Sequence, residues 1–409
     1  MRALGRAALT ASLAALPLPA QAPVQRFDLD NGLPILLRED QGRPLFRARL
    51  RLALRPGDLP PGKEGLADLA LGMMDRGLAG HLRPADFDHA LDDGGIRLTR
   101  TLTAGAITWD LVSRGRDQDR AMGLLADRVL RPVLDPSVLE PQRLACWRDE
   151  QEVLASPEAR LRDALGLDGP PPATEQSLGL LTFKDLETFL RRVFRPDRAL
   201  LALEGDLGRE QAKALVLLSF GTWTGEPLPP EPASAQTPQA SPAPAPARIP
   251  APGAPLRIEA AAPVTADLSP ALHDLLLLLL RNDPALAPVR LATPAEPESP
   301  LRFTLTADQR ADAALATLRD RLDRLRRRGY AQVDLDRAKA AWAGGQQVRS
   351  LDPQTLLADD GRAFEGRLAL APEVAATSLA ALNGALLRWL DPARLRWAVL
   401  GDPKDLPTP

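Results

Sequence analysis

The sequence predicts an α+β fold made of two related domains, each with an antiparallel-rich sheet and helices packed on one face. Strand patterns of alternating polarity and longer helical patterns follow one another in runs, which is typical of this fold class. A proline-rich stretch over 225–255 divides the 409-residue chain, and a similar phrase closes each half. Together these observations favour a duplicated domain.

The stretch over 225–255 carries 11 of the 41 prolines, together with Ala, Ser, Gln and Glu. Such a composition offers too little apolar surface for a core and favours the extended polyproline II conformation. It therefore predicts a linker between an N-terminal domain over 24–224 and a shortened C-terminal domain over 256–409. A linker of this length lets the two halves reposition or fold face to face.

The two halves end on related phrases. Phe194-Arg195-Pro196-Asp197-Arg198 and Leu390-Asp391-Pro392-Ala393-Arg394 each precede an apolar run that stops at Gly-Asp, and proline and glycine are nine positions apart in both. A helix end, a proline break, a buried strand and a turn produce this pattern, because proline stops helices and glycine permits turn angles. The match favours a duplication over a chance likeness.

The N-terminal half begins with a predicted hairpin, because Asn31-Gly32 between two short apolar segments is a strong hairpin signal. The apolar residues of 65–74 recur at helical spacing, so a helix is expected there. The same periodicities predict the remaining elements of this half: strands over 46–55, 96–104 and 106–113, and helices over 84–91, 118–130, 138–155 and 183–194.

The C-terminal half follows a shorter version of this order. Strands are expected over 255–261 and 301–307, and helices over 270–281 and 311–327. The leucine run Leu275–Leu280 lies in the first of these helices and is far shorter than the ~20 apolar residues that span a membrane. We therefore expect a buried helix and no membrane span.

Residues 1–22 have the features of a secretory signal. Arg2 and Arg6 precede an apolar run over 7–16, and Ala20-Gln21-Ala22 forms a small-x-small cleavage site. A short buried helix is the alternative interpretation. The signal predicts a periplasmic or secreted protein.

The charge of the chain excludes some partners. A formal net charge of -2, with acidic and basic residues interspersed, gives no electrostatic reason to expect nucleic acid as a partner.

Cys146 is the only cysteine, so no intrachain disulfide is expected. The sequence shows no Gly-x-Ser-x-Gly elbow, phosphate loop or dinucleotide fingerprint, so the catalytic classes that use them find no support.

The order and spacing of several short motifs resemble the insulinase/pitrilysin family of zinc metallopeptidases, which includes the mitochondrial processing peptidases. The resemblance covers most of the chain and implies two insulinase-type domains. In the C-terminal half its clearest part is the segment over 334–339. The motifs of the N-terminal half are these: Asn31-Gly32-Leu33-Pro34, the loop over 57–65, Gly65-Leu66-Ala67, Gly77, Gly94-Gly95, Pro132, the segment over 196–206, and Phe220-Gly221-Thr222-Trp223.

The resemblance also implies where a zinc site would lie. Family members hold zinc through an inverted His-x-x-Glu-His motif on the helix that begins Gly-Leu-Ala, with a third glutamate ligand downstream. At the motif positions this chain has Asp68, Leu71 and Gly72, so both histidines and the glutamate base are replaced. Asp149 stands at the third-ligand place, with Glu150 and Glu152 close by. Because hydrolytic zinc takes three protein ligands, we expect no bound metal. Because the glutamate base is also replaced, we expect no catalytic residue. No other cofactor is expected.

Other residues do not restore these functions. His81, His89 and His273 lack the i, i+4 spacing that places two imidazoles on one helix face, and we expect them at the surface or at helix caps. The family also implies an arginine and a tyrosine, after the first helix of the second domain, that grip the substrate backbone. That stretch contains no tyrosine here: Tyr330 lies in a different element, and Arg290 is at most a remnant.

Three functional hypotheses remain. The first is a non-catalytic subunit that forms a hetero-oligomer with an active, exported member of the same family. The second is an active zinc metalloendopeptidase with an altered site, in which Asp68 and Asp149 hold the metal and another base replaces Leu71. The third is a periplasmic scaffold that binds a peptide ligand between its halves without cutting it. The replaced motif favours the first hypothesis.

Overall fold

A computed structural model describes residues 24–103, 105–165, 172–225, 246–262, 268–287, 289–292, 301–306, 310–351, 370–391 and 394–406. The predicted signal segment over 1–22 lies outside the described residues. Within these ranges, no helix combines the length and the apolar character needed to cross a bilayer.

The N-terminal domain is built on a six-stranded sheet. The described strands of the whole domain are these: β1 (Gln25–Asp28), β2 (Pro34–Glu39), β3 (Leu45–Ala53), β4 (Leu78–Ala79), β5 (Arg97–Leu102), β6 (Ala106–Arg114), β7 (Pro132–Val133) and β8 (Ala199–Gly205). The sheet order is β1-β2-β8-β3-β6-β5, and β4 pairs with β7 in a separate ribbon. Only the pair β2 and β8 is parallel among the neighbours of this sheet. The sheet is therefore antiparallel-rich, as predicted.

Helices cover one face of this sheet. The described α-helices are these: α1 (Leu66–Arg76), α2 (Pro84–Gly94), α3 (Gln118–Leu130), α4 (Leu139–Ala155), α5 (Pro157–Ala164), α6 (Glu175–Leu180), α7 (Phe183–Val193) and α8 (Arg209–Phe220). Short 3-10 turns occupy four positions: Pro56–Asp58, Gly115–Asp117, Pro136–Val138 and Pro196–Arg198. Buried and part-exposed residues alternate along β3, so its apolar side meets the helices in the first core.

The C-terminal domain repeats the same construction at smaller size. Its elements are these: β9 (Ala247–Pro250), β10 (Arg257–Ala262), α9 (Pro270–Arg281), a 3-10 turn (Pro284–Leu286), β11 (Arg290–Ala292), β12 (Leu301–Thr306), α10 (Ala311–Arg328), α11 (Gln332–Leu351), α12 (Ala371–Ala376), α13 (Leu379–Trp389) and β13 (Arg396–Gly401). The sheet order is β11-β12-β10-β13-β9. Leu275, Leu276 and Leu280 of the leucine run are buried in the second core, as predicted for a core helix.

The two sheets share one connection pattern. The order β2-β8-β3-β6-β5 in the first sheet corresponds to β9-β13-β10-β12-β11 in the second. In both, the first pair is parallel and the following pairs are antiparallel. The strands that follow the repeated phrases, β8 and β13, take the same place in this order. The topology thus confirms the two related domains inferred from the sequence.

One boundary of the predicted linker is wrong. The prediction extended the linker to residue 255, whereas β9 begins at Ala247 and pairs in parallel with β13. Ile249 is buried against the second sheet. Pro250 is tolerated because β9 is an edge strand, where a missing N–H leaves no ladder bond unmade. The surrounding prolines hid a strand that tertiary pairing stabilises.

Helix α5 links the two halves. It follows α4 of the first domain but packs against β9 and β13 of the second sheet. Leu161 and Leu165 are buried there beside Leu400, on the sheet face opposite the second core. Arg257 pairs with Glu158 at 2.6 Å. One helix therefore covers the second face of this sheet, in addition to the predicted helices on the first.

A salt bridge ties the loop before α1 to α7. Lys63 donates to Asp185, which also accepts from the backbone N–H of Thr182 at 2.9 Å. These bonds, that from Lys63 foremost, lower the pKa of Asp185 to about 2. A carboxylate whose pKa is lowered on folding contributes stability above its ordinary value of 3.8 and loses that contribution as the pH falls through about 2.

Asp185→Asn is therefore expected to make the free energy of unfolding depend less on pH under acid conditions. Between about pH 5 and pH 2, the parent chain should lose more resistance to urea than the variant does, and the two should converge at the acid end. Urea midpoints from circular dichroism across this range measure the difference. A difference that stays constant with pH would contradict the role assigned to Asp185.

Candidate functional site

A glycine sets the start of α1, the helix that carries the motif window. Gly65 has a φ of 85°, a left-handed conformation that suits glycine. A Cβ atom at this position would lie 2.7 Å from both Cβ of Ala173 and Cδ2 of Leu178. The Gly-Leu-Ala signal of the sequence therefore reflects close packing at the start of the helix.

The replaced motif residues divide between two environments. Asp68 and Gly72 are four residues apart, which places them on one face of α1, and Gly72 faces Gln142 of α4. Leu71 is fully buried in the first core. The residue in the place of the glutamate base therefore serves packing, and its side chain has no group that accepts a proton.

Helix α4 presents a row of three residues at intervals of four: Gln142, Cys146 and Glu150. Burial raises the pKa of Glu150, and the charge of Asp68 raises it further, so these two carboxylates are within electrostatic reach. Asp149, at the third-ligand place predicted from the sequence, is exposed, and its charge acts on Cys146. The charge of Asp68 therefore acts on the carboxylate of Glu150.

The side chain of Gln142 fills the space beside Gly72. A Cβ atom at position 72 would lie 2.7 Å from Cδ of Gln142 and closer still to its Nε2. The amide oxygen accepts a hydrogen bond from Nε of Arg76 at 2.5 Å, and the amide nitrogen lies 3.5 Å from Sγ of Cys146. Gln142 is only 8% exposed. A histidine at position 72 has no room while Gln142 keeps this place.

Desolvation raises the pKa of three groups in this cluster. Asp68 reaches solvent, but surrounding atoms displace much of the nearby water, and this raises its pKa against the opposing charge of Arg100. Burial likewise raises the pKa of the Cys146 thiol, which the hydrogen bond from Gln142 opposes, and of Glu150. Shifts in this direction favour the neutral forms, whereas metal ligands bind as carboxylates and thiolates.

The residues present do not fit a zinc ion. Hydrolytic zinc takes three protein ligands and keeps a fourth position open. The described part of the chain contains no group of three or more His, Cys, Asp or Glu side chains that could hold a metal ion. Gln142 also takes the space beside the second lost histidine position.

The three histidines lie in other environments. His81 and His89 are exposed in the N-terminal domain, as predicted. The prediction for His273 is wrong, because its side chain is buried in the second domain against Trp389, with ring centres 5.6 Å apart. His273 lies on the buried face of α9, together with leucines of the run over 275–280, and this position buries its side chain.

Tyr330, which the sequence places outside the expected substrate grip, and Arg290, at most a remnant of it, lie in different environments. Tyr330 is buried in the second core, and burial followed by the charge of Asp283 raises the pKa of its hydroxyl. Arg290 begins β11, an edge strand, and is exposed. A buried tyrosine cannot contact a substrate backbone.

Several solved structures of peptidases, or of parts of peptidases, share this arrangement of sheets and helices. A protease from Helicobacter pylori matches 94% of this chain and 100% of its own, with a TM-score of 0.74 and 15% identity. The inactive domain of an M16 peptidase from Pseudomonas fluorescens matches 94% of this chain and 99% of its own, with a TM-score of 0.69 and 17% identity. The chain has the M16 peptidase fold.

The M16 fold also forms the first half of the periplasmic protease PqqL from Escherichia coli, which matches 96% of this chain and 95% of its own at a TM-score of 0.72 and 13% identity. Full-length PqqL is matched over 46% of its length. No family model and no curated protein matches the sequence. The insulinase-type, or M16, fold expected from the short motifs is thereby confirmed.

The sequence predicts the motif window but not the side chain that fills the space beside Gly72. Gln142 is an ordinary polar residue of a helix, and nothing in its local sequence marks it as buried. The i, i+4 row that it forms with Cys146 and Glu150 becomes informative only once α4 is known to face α1. Arg76 and Arg100 gained their roles in the same way, through contacts between elements.

Proposed function

We propose that this protein is a non-catalytic M16-like subunit that pairs with an active, exported zinc metallopeptidase of the same fold. The observation that carries the proposal is the Gln142 side chain beside Gly72, in the space that the second histidine of a zinc motif would need. Leu71, buried in the core, supports it because the general base is missing as well. Hydrolysis at this site would lack both its metal and its base.

The likeness to PqqL supports the pairing. The chain matches nearly the whole first half of PqqL and 46% of the complete protease. In PqqL a unit of this fold is therefore one half of a longer protease, which favours a paired arrangement for the unit seen here. The M16 domain from Pseudomonas fluorescens, described as inactive, shows that the fold occurs in non-catalytic form elsewhere. Export to the periplasm belongs to the same proposal and rests on the predicted signal over 1–22.

The first test is the zinc content of the purified mature chain after dialysis against trace zinc, measured by mass spectrometry. We expect well below about 0.1 zinc per chain, because a site with fewer than three ligands holds the ion weakly. Asp68→Ala should leave the value unchanged. Zinc near one per chain that disappears in Asp68→Ala would overturn the proposal and favour the altered-site metallopeptidase.

The second arm tests the pairing directly. The chain is mixed with a zinc-containing M16 peptidase from the same organism, and complex formation is followed by analytical ultracentrifugation. We expect a heterodimer whose peptidase activity a chelator removes, and no peptidase activity from the chain alone. Chelator-sensitive cleavage by the chain alone would contradict the proposal, and peptide binding without any M16 partner would favour the scaffold.

A further inference from the structure

A pocket lined by arginines lies in the C-terminal domain, on elements separate from α1 and α4. Its volume is about 610 Å³. Three arginines of α10 line it, at positions 321, 324 and 328. Pro284, Ala285 and Ala287, from the turn after α9, provide an apolar part of the wall.

The arginines converge because of their spacing. Arg321, Arg324 and Arg328 are three and four residues apart, so they share one face of α10. Arginine side chains carry planar groups with five N–H donors, suited to oxygen pairs of carboxylates and phosphates. This face of α10 therefore places hydrogen-bond donors for an oxyanion beside the apolar part of the pocket wall.

Two of the guanidinium groups are held in place by the protein. Nη1 of Arg321 donates to the carbonyl oxygens of Ala285, at 3.3 Å, and Ala287. Nη2 of Arg328 pairs with Asp283, whose side chain is 1% exposed and also accepts from the N–H of Ala285 at 2.8 Å. A ligand that meets pre-positioned donors loses less conformational entropy on binding.

The third group is the more adjustable one. Arg324 pairs with Asp320 at 2.6 Å, but the two side chains are 71% and 61% exposed, so the pair is weak in water and can be exchanged for a ligand. Among the described residues, the ion pairs of these three arginines involve two carboxylates, those of Asp283 and Asp320. The pocket therefore keeps an excess of positive charge.

We propose that this pocket binds an organic oxyanion, a carboxylate or phosphate group carried on a short apolar body. The charged group would lie between Arg321 and Arg324, and the apolar body on Pro284 and Ala285. The pocket volume suits a ligand of small-molecule size. The inference does not depend on the subunit role proposed above.

The test is calorimetric titration of the full mature chain at low salt. The probes are an N-acetylated dipeptide with a free carboxylate, the same dipeptide as its amide, and inorganic phosphate. We expect saturable binding of at least one oxyanion, about tenfold tighter than that of the amide and weaker at high salt. The tighter of carboxylate and phosphate identifies the source of the anion. Lack of saturation by either oxyanion up to about 10 mM would overturn the proposal.

Variants locate the binding. Arg324→Gln should weaken binding by about fivefold or more, and it suits the test because the hydrogen bonds of Arg324 within the described structure go to Asp320. Arg327→Gln is the matched control, since Arg327 lies on the same helix, outside the pocket lining, and pairs with Asp323. Equal weakening in both variants would show a general charge effect and contradict the site.

Discussion

Gly72→His is expected to lower the free energy of unfolding of the N-terminal domain by about 2–4 kcal/mol. The new side chain would begin 2.7 Å from Cδ of Gln142. Gln142 must then leave a buried position and give up its hydrogen bond with Arg76, or the helices α1 and α4 must separate. The effect is large because the cost of overpacking and the cost of the lost hydrogen bond both arise at the contact between Gly72 and Gln142. Equilibrium urea unfolding measures the loss.

Two companion variants make this result specific. Gly72→His combined with Gln142→Ala should recover the part of the loss that comes from overpacking, because alanine at 142 vacates the contested space, while the hydrogen bond with Arg76 stays lost. Gly123→His is the control, since Gly123 lies within α3 and a Cβ atom there would meet nothing within 4 Å. It should be neutral or slightly stabilising, as expected when glycine leaves a helix interior. A loss that persists in full in the double variant would show that Gln142 does not fill the site.

Asp58→Ala is expected to cost about 3–5 kcal/mol of folding free energy. The Asp58 side chain is fully buried and forms a salt bridge at 2.5 Å with Arg198, whose side chain is 2% exposed. Arg192 pairs with the other carboxylate oxygen at 2.9 Å, and the N–H of Arg55 donates to Asp58 at 2.8 Å. Removing the carboxylate leaves the Arg198 guanidinium buried without its counter-charge, the costly case for a buried pair.

An exposed pair of the same domain provides the comparison. Glu140 pairs with Arg143 on α4, and its side chain is 74% exposed. Glu140→Ala should change stability by less than about 0.5 kcal/mol, because solvent screens such pairs. Denaturant unfolding of both variants separates the two cases. Losses of similar size would mean that burial of Asp58 is not the cause.

Local signals in the sequence were sufficient for much of the fold. The Asn31-Gly32 turn does join two antiparallel strands, β1 and β2, with Gly32 at a φ of 85°. The repeated phrases at 194–198 and 390–394 do precede strands in equivalent places of two sheets. These signals are reliable because turn geometry, proline and helical periodicity act over a few residues.

The failures have one physical origin, contact between segments distant in the chain. The sequence places strand β9 in the linker because the prolines in and around it outweigh one strong strand former, yet the strand is held by pairing with β13, about 150 residues later. His273 was expected at the surface, and packing of α9 buries it. In both cases tertiary burial overrides the local preference of the residues.

The sequence by itself determined that positions 68, 71 and 72, the window that the resemblance assigns to the zinc motif, carry no histidine and no glutamate, because residue identity alone decides whether an imidazole or a catalytic carboxylate exists. Only the tertiary structure decided which side chain fills the space beside Gly72. Gln142 lies 70 residues from Gly72, and its side chain fills that space because α4 packs on α1. The chemistry of a side chain is local, whereas the space it occupies depends on which helices meet.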